Sequence, residues 1–341
     1  MLNKYKFILL TVLVIIFLIS DIILGSILIP INEAFSTLFN PSNTNSEWYL
    51  IIFEFRIPKA ITAVLCGIGL SLSGLLMQSV FRNPLAGPYV LGISSGAGLG
   101  VALMLMGLPI LGIVGNSIIN DSLLLVSSFI GAAFILSIIS FASKKINDIT
   151  TILIIGIMFS SIAGALINII QYFSDEVSLK SYIIWSMGSL GGVSKSQIYF
   201  LIPITILGTF LSVLIIKPLN ALLIGESYAK SMGVNINKVR FIAFFSTTIL
   251  AGALTAYCGP IAFIGIVTPH IARFIFNTSK HEILIPASIL VGIIFMLFSD
   301  IVSQLPGCSN TLPINSITSL LGIPIILWII IKNKKIGGFF A

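Results

Sequence analysis

Side chains able to do bond chemistry are sparse in this sequence. His270 and His281 are its two histidines, too few for an imidazole metal cluster. Cys66, Cys258 and Cys308 are odd in number, far apart and without metal-ligand spacing, so they are expected to be small apolar fillers. No Gly-Lys pair occurs, which removes the phosphate-cradling loop that would bind ATP within this chain. No metal or cofactor is expected, and the chain is not expected to be an enzyme. Any ATP it depends on must be hydrolysed on a separate subunit. Within the apolar stretches the acidic residues are Asp21 and Asp300, both near helix ends, where capping or snorkelling is the ordinary role and a proton relay the alternative.

The remaining candidates bind or pass a solute rather than transform it. Arg82-Asn-Pro-Leu-Ala-Gly-Pro leads into Gly92, Gly96 and Gly100, four residues apart, so a helix there carries one nearly bare face. Such a face is either a close-packing seam or room for something to pass. Ser160, Ser161, Gly164 and Asn168 recur at roughly helical spacing and present the same two alternatives. Residues 217–240 form a polar loop that reads as a short helix pair, with Gly225 as its break and Gly233 as a stop. Leu222, Leu223, Tyr228 and Met232 give it an apolar face, suited to the lipid interface or to a cytoplasmic partner.

The elements that hold these groups must be membrane spans. Hydrophobic residues make up 57% of 341 and charged residues 9%, with a mean hydropathy of +1.13; a soluble domain carries about 25% charge. Ten stretches approach the roughly 20 apolar residues a bilayer requires: 7–29, 58–80, 88–107, 122–142, 149–171, 198–216, 238–257, 260–276, 283–303 and 313–331. A polar insert, 30–57, separates the first two. With the N-terminus inside, fourteen of the eighteen Lys and Arg fall on the cytoplasmic side. The reading is therefore an all-α polytopic membrane protein of about ten transmembrane helices, one domain over 1–341, both termini cytoplasmic. The net charge of +7 belongs to this bias and not to nucleic-acid binding.

Long motifs then occur in a recognisable order. They are Arg56-Ile-Pro-Lys59; Gln78 followed by the Arg82–Gly100 block; the loop with Leu222, Gly225, Ala229 and Gly233; Gly259-Pro-Ile-Ala-Phe-Ile-Gly-Ile-Val-Thr-Pro-His-Ile-Ala-Arg273; and Leu312-Pro-Ile with Leu321-Gly-Ile-Pro. Across nearly the whole chain the sequence resembles the FecCD permeases, membrane subunits of ABC importers for iron-siderophores, haem and cobalamin. The resemblance implies the type II importer fold and a homodimer in the bacterial cytoplasmic (inner) membrane. It also implies two cytoplasmic ATP-binding subunits and an extracytoplasmic substrate-binding protein.

Residue by residue, the resemblance assigns roles. Arg56 and Lys59 would receive the binding protein. Leu222, Gly225, Glu226, Ala229 and Gly233 would form the coupling helices that seat on the ATPase. Asn83 and Leu85, with Ile149 and Thr150, would form the cytoplasmic gate, although a polar residue is expected where Ile149 stands. Ser160, Ser161, Gly164 and Asn168 would line the pathway, and the bare face of Gly92, Gly96 and Gly100 would abut span five. The family's further arginine after the acid of span nine is replaced here by Ser303 and Gln304. His270 would be structural. Ferric-siderophore ranks first as cargo, with cobalamin and haem next. An ion-gradient-driven secondary transporter, relying on Asp21 or Asp300, is the alternative.

Overall fold

The computed structural model describes residues 2–39, 46–111, 121–146, 148–304, 307 and 311–334. Every regular element among them is helical. In chain order these are α1 (Leu2–Ile23), α2 (Ile31–Phe39), α3 (Ser46–Leu50), α4 (Ile57–Phe81), α5 (Ile93–Ala102), α6 (Leu108–Ile110), α7 (Asp121–Lys145), α8 (Ile149–Phe173) and α9 (Glu176–Ser186). They continue with α10 (Lys195–Leu214), α11 (Ile216–Ile224), α12 (Glu226–Ser231), α13 (Ile236–Thr247), α14 (Ala253–Cys258), α15 (Ile264–Phe276), α16 (His281–Gln304) and α17 (Ile314–Lys334). Wider π-turns at Ile51–Arg56, Leu103–Gly107 and Thr248–Gly252 join α3 to α4, α5 to α6, and α13 to α14 without interrupting the rod.

Seven helical rods are long and apolar enough to cross a bilayer, and Leu123–Ile139, Ile264–Phe276 and Ile314–Ile329 are shorter apolar helices. Together they coincide with the ten stretches marked in the sequence. Two boundaries move. The first helix ends at Ile23, and the second rod starts at Glu47, not at 58, running unbroken to Phe81 over 35 residues. Proline at 58 and the charges around it suggested an interfacial start. Pro58 instead lies inside the rod, directly after the π-turn Ile51–Arg56, the local widening that precedes a residue with no N–H to donate, and Arg56 turns its charge back into the protein.

The helix α4 is the axle. Helices α10, α13, α15 and α16 pack around it, and glycines let the backbones touch. A Cβ on Gly67 would lie 2.7 Å from Gly292 backbone atoms, and one on Gly74 would lie 1.6 Å from the Gly265 carbonyl oxygen. No side chain fits at either crossing. A second group, α5, α7 and α8, packs alongside. Here the bare face of α5 finds its partner, and it is α7: a Cβ on Gly96 would strike Gly131, and one on Gly100 would lie 2.0 Å from the Ser127 carbonyl. The expected contact with span five holds only for Gly92, which meets Ser160 and Gly156. Gly131 is the reason: it stands directly opposite Gly96, where a Cβ on either would strike the other's backbone.

Two loops interrupt spans and meet each other. After α4, residues 82–87 lead into a single 3₁₀ turn, Pro88–Leu91; after α14, residues 259–263 lead into α15. The Tyr89 hydroxyl donates to the Ile261 carbonyl and accepts from the Ile261 N–H at 2.9 Å. A Gly-Pro pair marks both breaks, closing the first at Gly87-Pro88 and opening the second at Gly259-Pro260.

Candidate functional site

At the outer ends of α1, α4 and α16 the isolated charges of the sequence converge. Asp21 and Asp300 are 2% and 1% exposed, and Gln304 Nε2 donates to both, at 3.2 Å to Asp21 and 3.0 Å to Asp300. Lys59 Nζ pairs with Asp300 at 3.0 Å. Arg56 is 6% exposed, and its guanidinium donates to the carbonyls of Ile22 (3.0 Å), Ile23 and Ile27. These include the last carbonyls of α1, orphaned at a helix C-terminus. Of the two residues assigned to docking, Arg56 is thus engaged within its own chain. Lys59 remains one-fifth exposed and borders an outer cavity of about 600 Å³ with Ser189, Leu190, Gln304 and Leu312. Gln304, standing near where the family carries its extra arginine, serves as the bridge between two buried acids.

On the opposite side, α11 and α12 form the helix pair anticipated for 217–240. Gly225 breaks it at φ 145°, ψ 154°, and Gly233 ends it at φ 80°; both values lie where a side chain strains the backbone. A Cβ on either would meet nothing within 4 Å. The apolar residues divide between two faces. Leu222 is 3% and Ala229 0% exposed, packed with Leu219 and Phe244 in the core. Ile224 (65%), Tyr228 (46%) and Met232 (61%) point outward. Leu222 therefore supports the hairpin from beneath and does not form its outer face. Glu226 is held by Arg240 at 2.6 Å, which fixes the hairpin to α13. Ile224 escaped the sequence reading because its spacing from Leu222 and Leu223 does not reveal which side of a nine-residue helix is covered.

The gate residues fall on two elements. Arg82 ends α4 at φ 48°. Asn83 Oδ1 then accepts from the Leu85 N–H at 2.9 Å, a local turn that leaves Leu85 47% exposed. His270 Nε2 donates to the Pro84 carbonyl at 2.8 Å, giving that histidine the structural role expected of it. Thr150 is exposed in the first turn of α8, and its N–H donates to Asp148. The Ile149 side chain lies outside the described residues. Asp148 caps α8: it accepts from the Thr151 hydroxyl at 2.6 Å, the Thr151 N–H at 3.0 Å and the Thr150 N–H at 3.2 Å. The bond from the Thr151 side chain, followed by the two backbone bonds, holds its carboxyl below the usual carboxylate range.

The pathway residues lie on α8, 25 residues without a charge. Only 17% of its most apolar stretch is buried. Ser161 and Asn168 are exposed, on a stripe with Ala165 and Tyr172. Ser160 faces Gly92 on α5, and Gly164 has open space where its Cβ would be. Ser160 and Ser161 return their hydroxyls to the carbonyls of Gly156 and Ile157, so the stripe is polar in composition but holds no unsatisfied donor from these two residues.

Gly92-Ile-Ser-Ser-Gly96 spells the G-x-S-x-G pattern of hydrolase elbows, a motif the sequence was expected to lack. Ser94 sits in the first turn of α5, entered from a 3₁₀ turn and not from a strand, so the elbow's geometry is missing. Among the described residues no cluster of three or more His, Cys, Asp or Glu could hold a metal ion. Cys66 and Cys258, distant in sequence, are in contact at 3.6 Å between sulfurs.

The FecCD transport family is matched by residues 12–332. The hemin transport system permease of Yersinia pestis is 33% identical over 307 residues, covering 89% of each chain. The vitamin B12 import system permease of Vibrio vulnificus is 30% identical over 314 residues, covering 92% of this chain and 91% of that one. Among solved structures, a metal-chelate type ABC transporter in an inward-facing conformation superposes with a TM-score of 0.84 at 27% identity. That match covers 96% of this chain and 99% of the other.

Proposed function

Because the chain belongs to the FecCD transport family, we propose that it works as the membrane-spanning permease of an ATP-driven importer of metal chelates. Two copies would form the pathway, with two ATP-binding subunits beneath and a substrate-binding protein outside. ATP hydrolysis is assigned to the partner subunits. The family membership displaces the gradient-driven alternative, and the clustering of Asp21 and Asp300 at one membrane face gives no route for a proton across the bilayer.

The observation that carries the reading is the α11–α12 hairpin. It is rigid toward its own chain, through Leu219, Leu222, Ala229 and the Glu226–Arg240 pair. Toward the cytoplasm it offers Ile224, Tyr228 and Met232 around a glycine with no neighbour. A lever that receives force from a separate subunit requires this division. Above it, α8 supplies a charge-free wall with small and polar residues, suited to releasing a bulky chelate. The two relatives named for haem and vitamin B12 carry cargo of that kind, and a ferric siderophore matches it in size and mixed polarity.

The test uses the permease with its ATP-binding subunits and binding protein in proteoliposomes. Tyr228→Asp should abolish substrate-stimulated ATP hydrolysis and uptake while the permease dimer persists in size-exclusion chromatography. Gly225→Val, strained by about 1–3 kcal/mol at its backbone, should do the same. Unchanged uptake in both variants sinks the coupling assignment. Hemin, cyanocobalamin and a ferric hydroxamate, offered in turn, identify the cargo.

A further inference from the structure

The hairpin and the gate loop belong to different elements, yet a run of hydrogen bonds, buried at His281 and Ser79 and partly open at Asn220, joins them. Asn220, on α11, accepts at Oδ1 from both the backbone N–H of His281 (2.9 Å) and its Nδ1–H (2.8 Å). Its Nδ2 donates to Glu282 Oε1 at 2.8 Å. The coupling hairpin is thereby pinned to the first turn of α16. The Ser79 hydroxyl stands 2.7 Å from both the Leu75 carbonyl and His281 Nε2; with the proton of the neutral imidazole on Nδ1, the single hydroxyl proton goes to Nε2 at the expense of the Leu75 bond. His281 is 1% and Ser79 3% exposed.

Ser79 stands in the last turn of α4, three residues before Arg82, where the helix ends and the gate loop begins. The far side of that loop is gripped by His270 at Pro84. Beside Ser79, Gln78 fastens α4 to α15, accepting from Arg273 at 2.5 Å and donating to the Ile266 carbonyl at 3.1 Å. Buried polar side chains with no water to replace their partners move as a unit or are left unsatisfied at considerable cost.

We propose that Asn220–His281–Ser79 is the positioning link that carries displacement of the α11–α12 hairpin to the Arg82–Gly87 gate loop. The proposal rests on the coupling and gate assignments above and names the residues that join them. Its claim is directional: beside the apolar cluster that Leu219 and Leu222 share with Val80 and Phe81 at the end of α4, force enters at Asn220, crosses α16 at His281 and leaves through Ser79. A mere staple would hold the fold without making the gate follow the hairpin.

The permease is purified with its ATP-binding subunits in nanodiscs. Leu85→Cys or Ser231→Cys, the latter exposed on α12 beside the docking face, carries an environment-sensitive fluorophore in a Cys308→Ser background, the buried Cys66 and Cys258 being out of reach. The probe is Mg-ATP. In the parent, both positions should respond. Ser79→Ala and His281→Asn, which keeps an N–H toward Asn220 but nothing toward Ser79, should each cut the Leu85 response roughly five-fold, the worth of one buried hydrogen bond. The Ser231 response should persist, the double variant should lose no more than either single one, and His281→Gln, whose amide reaches Ser79, should restore the Leu85 signal. A Leu85 response intact in both single variants overturns the link alone. Equal loss at Leu85 and Ser231 also overturns it, leaving a staple. Silence at Ser231 in the parent removes the coupling reading and the link with it.

Discussion

Helices α4 and α8 are each 25 residues long, and the apolar rods that contain them have mean hydropathies of 2.0 and 2.3. In α4's rod 83% of the most apolar stretch is buried within the chain, in α8's 17%. Hydropathy says only that a segment leaves water. It cannot distinguish a helix enclosed by its own chain from one that faces lipid, a partner or a passing solute. The glycines separate the two. Gly67 and Gly74 of α4 are occupied by the backbone of other helices and Gly69 by the Leu254 side chain, whereas Gly164 of α8 has nothing within 4 Å of where its Cβ would stand. One helix is the axle of the fold; the other, on the function proposed above, is its working surface.

The sharpest way to break this contrast is a branched side chain on α4. Gly74→Val should cost about 4 kcal/mol or more, because the obstacle is the Gly265 backbone and not a movable side chain. Loss of the monodisperse detergent-solubilised protein is the expected readout, and a thermal midpoint near the parent's would refute the axle.

Next comes the charge at the outer end of α4. Lys59→Met leaves Asp300 buried beside Asp21 without its ion-pair partner. A loss of about 2–3 kcal/mol is expected from breaking the pair at one side, largely recovered by Asp300→Asn in the double variant. Thermal unfolding of the four proteins measures the coupling.

A smaller effect belongs to the cap of α8. Since the Asp148 carboxyl is held below its ordinary value, its stabilising bonds are fully present above the unfolded carboxylate pKa, near 3.9. They are lost as pH falls through the lower folded value. The protection factors of the Thr150 and Thr151 amides, with the intrinsic pH dependence of exchange divided out, should therefore be constant between pH 7 and about 5 and fall only well below about pH 4. Asp148→Ala should abolish that dependence.

The smallest effect on stability should come from Gly164→Leu, within about 0.5 kcal/mol of the parent, while uptake falls about tenfold, equivalent to about 1.4 kcal/mol. Uptake at the parental rate would mean that α8 faces lipid at this depth.

How far the sequence goes can be judged on the same two helices. Apolar run length placed both, and the Lys and Arg bias oriented them. Gly225 and Gly233 announced the breaks of the hairpin because a positive φ leaves a signature in residue type. Partner choice left none. Gly96 and Gly100 were legible as a bare face, but only Gly131 and Ser127, about thirty residues away, decide that the face is a seam with α7. Leu222 and Tyr228 look equivalent as hairpin residues, yet one turns into the core and the other out of it. Asn220, His281 and Ser79 are ordinary polar residues scattered over two hundred positions. Arg56 illustrates the limit of carrying a role across by motif, since its guanidinium is already engaged by the carbonyls of α1.

That engagement has a bearing on biogenesis. The most apolar stretch of α1 is only 11% buried, and the helix is fastened near both ends. Arg56 takes its C-terminal carbonyls, and Lys6 donates to the Ile275 carbonyl at 2.6 Å. Neither fastening exists when α1 leaves the ribosome. The first is translated some thirty residues later and the second more than two hundred and fifty later. This apolar helix is thus seated in two steps: its C-terminal end once Arg56 and α4 follow it, its N-terminal end only when α15 and α16 arrive.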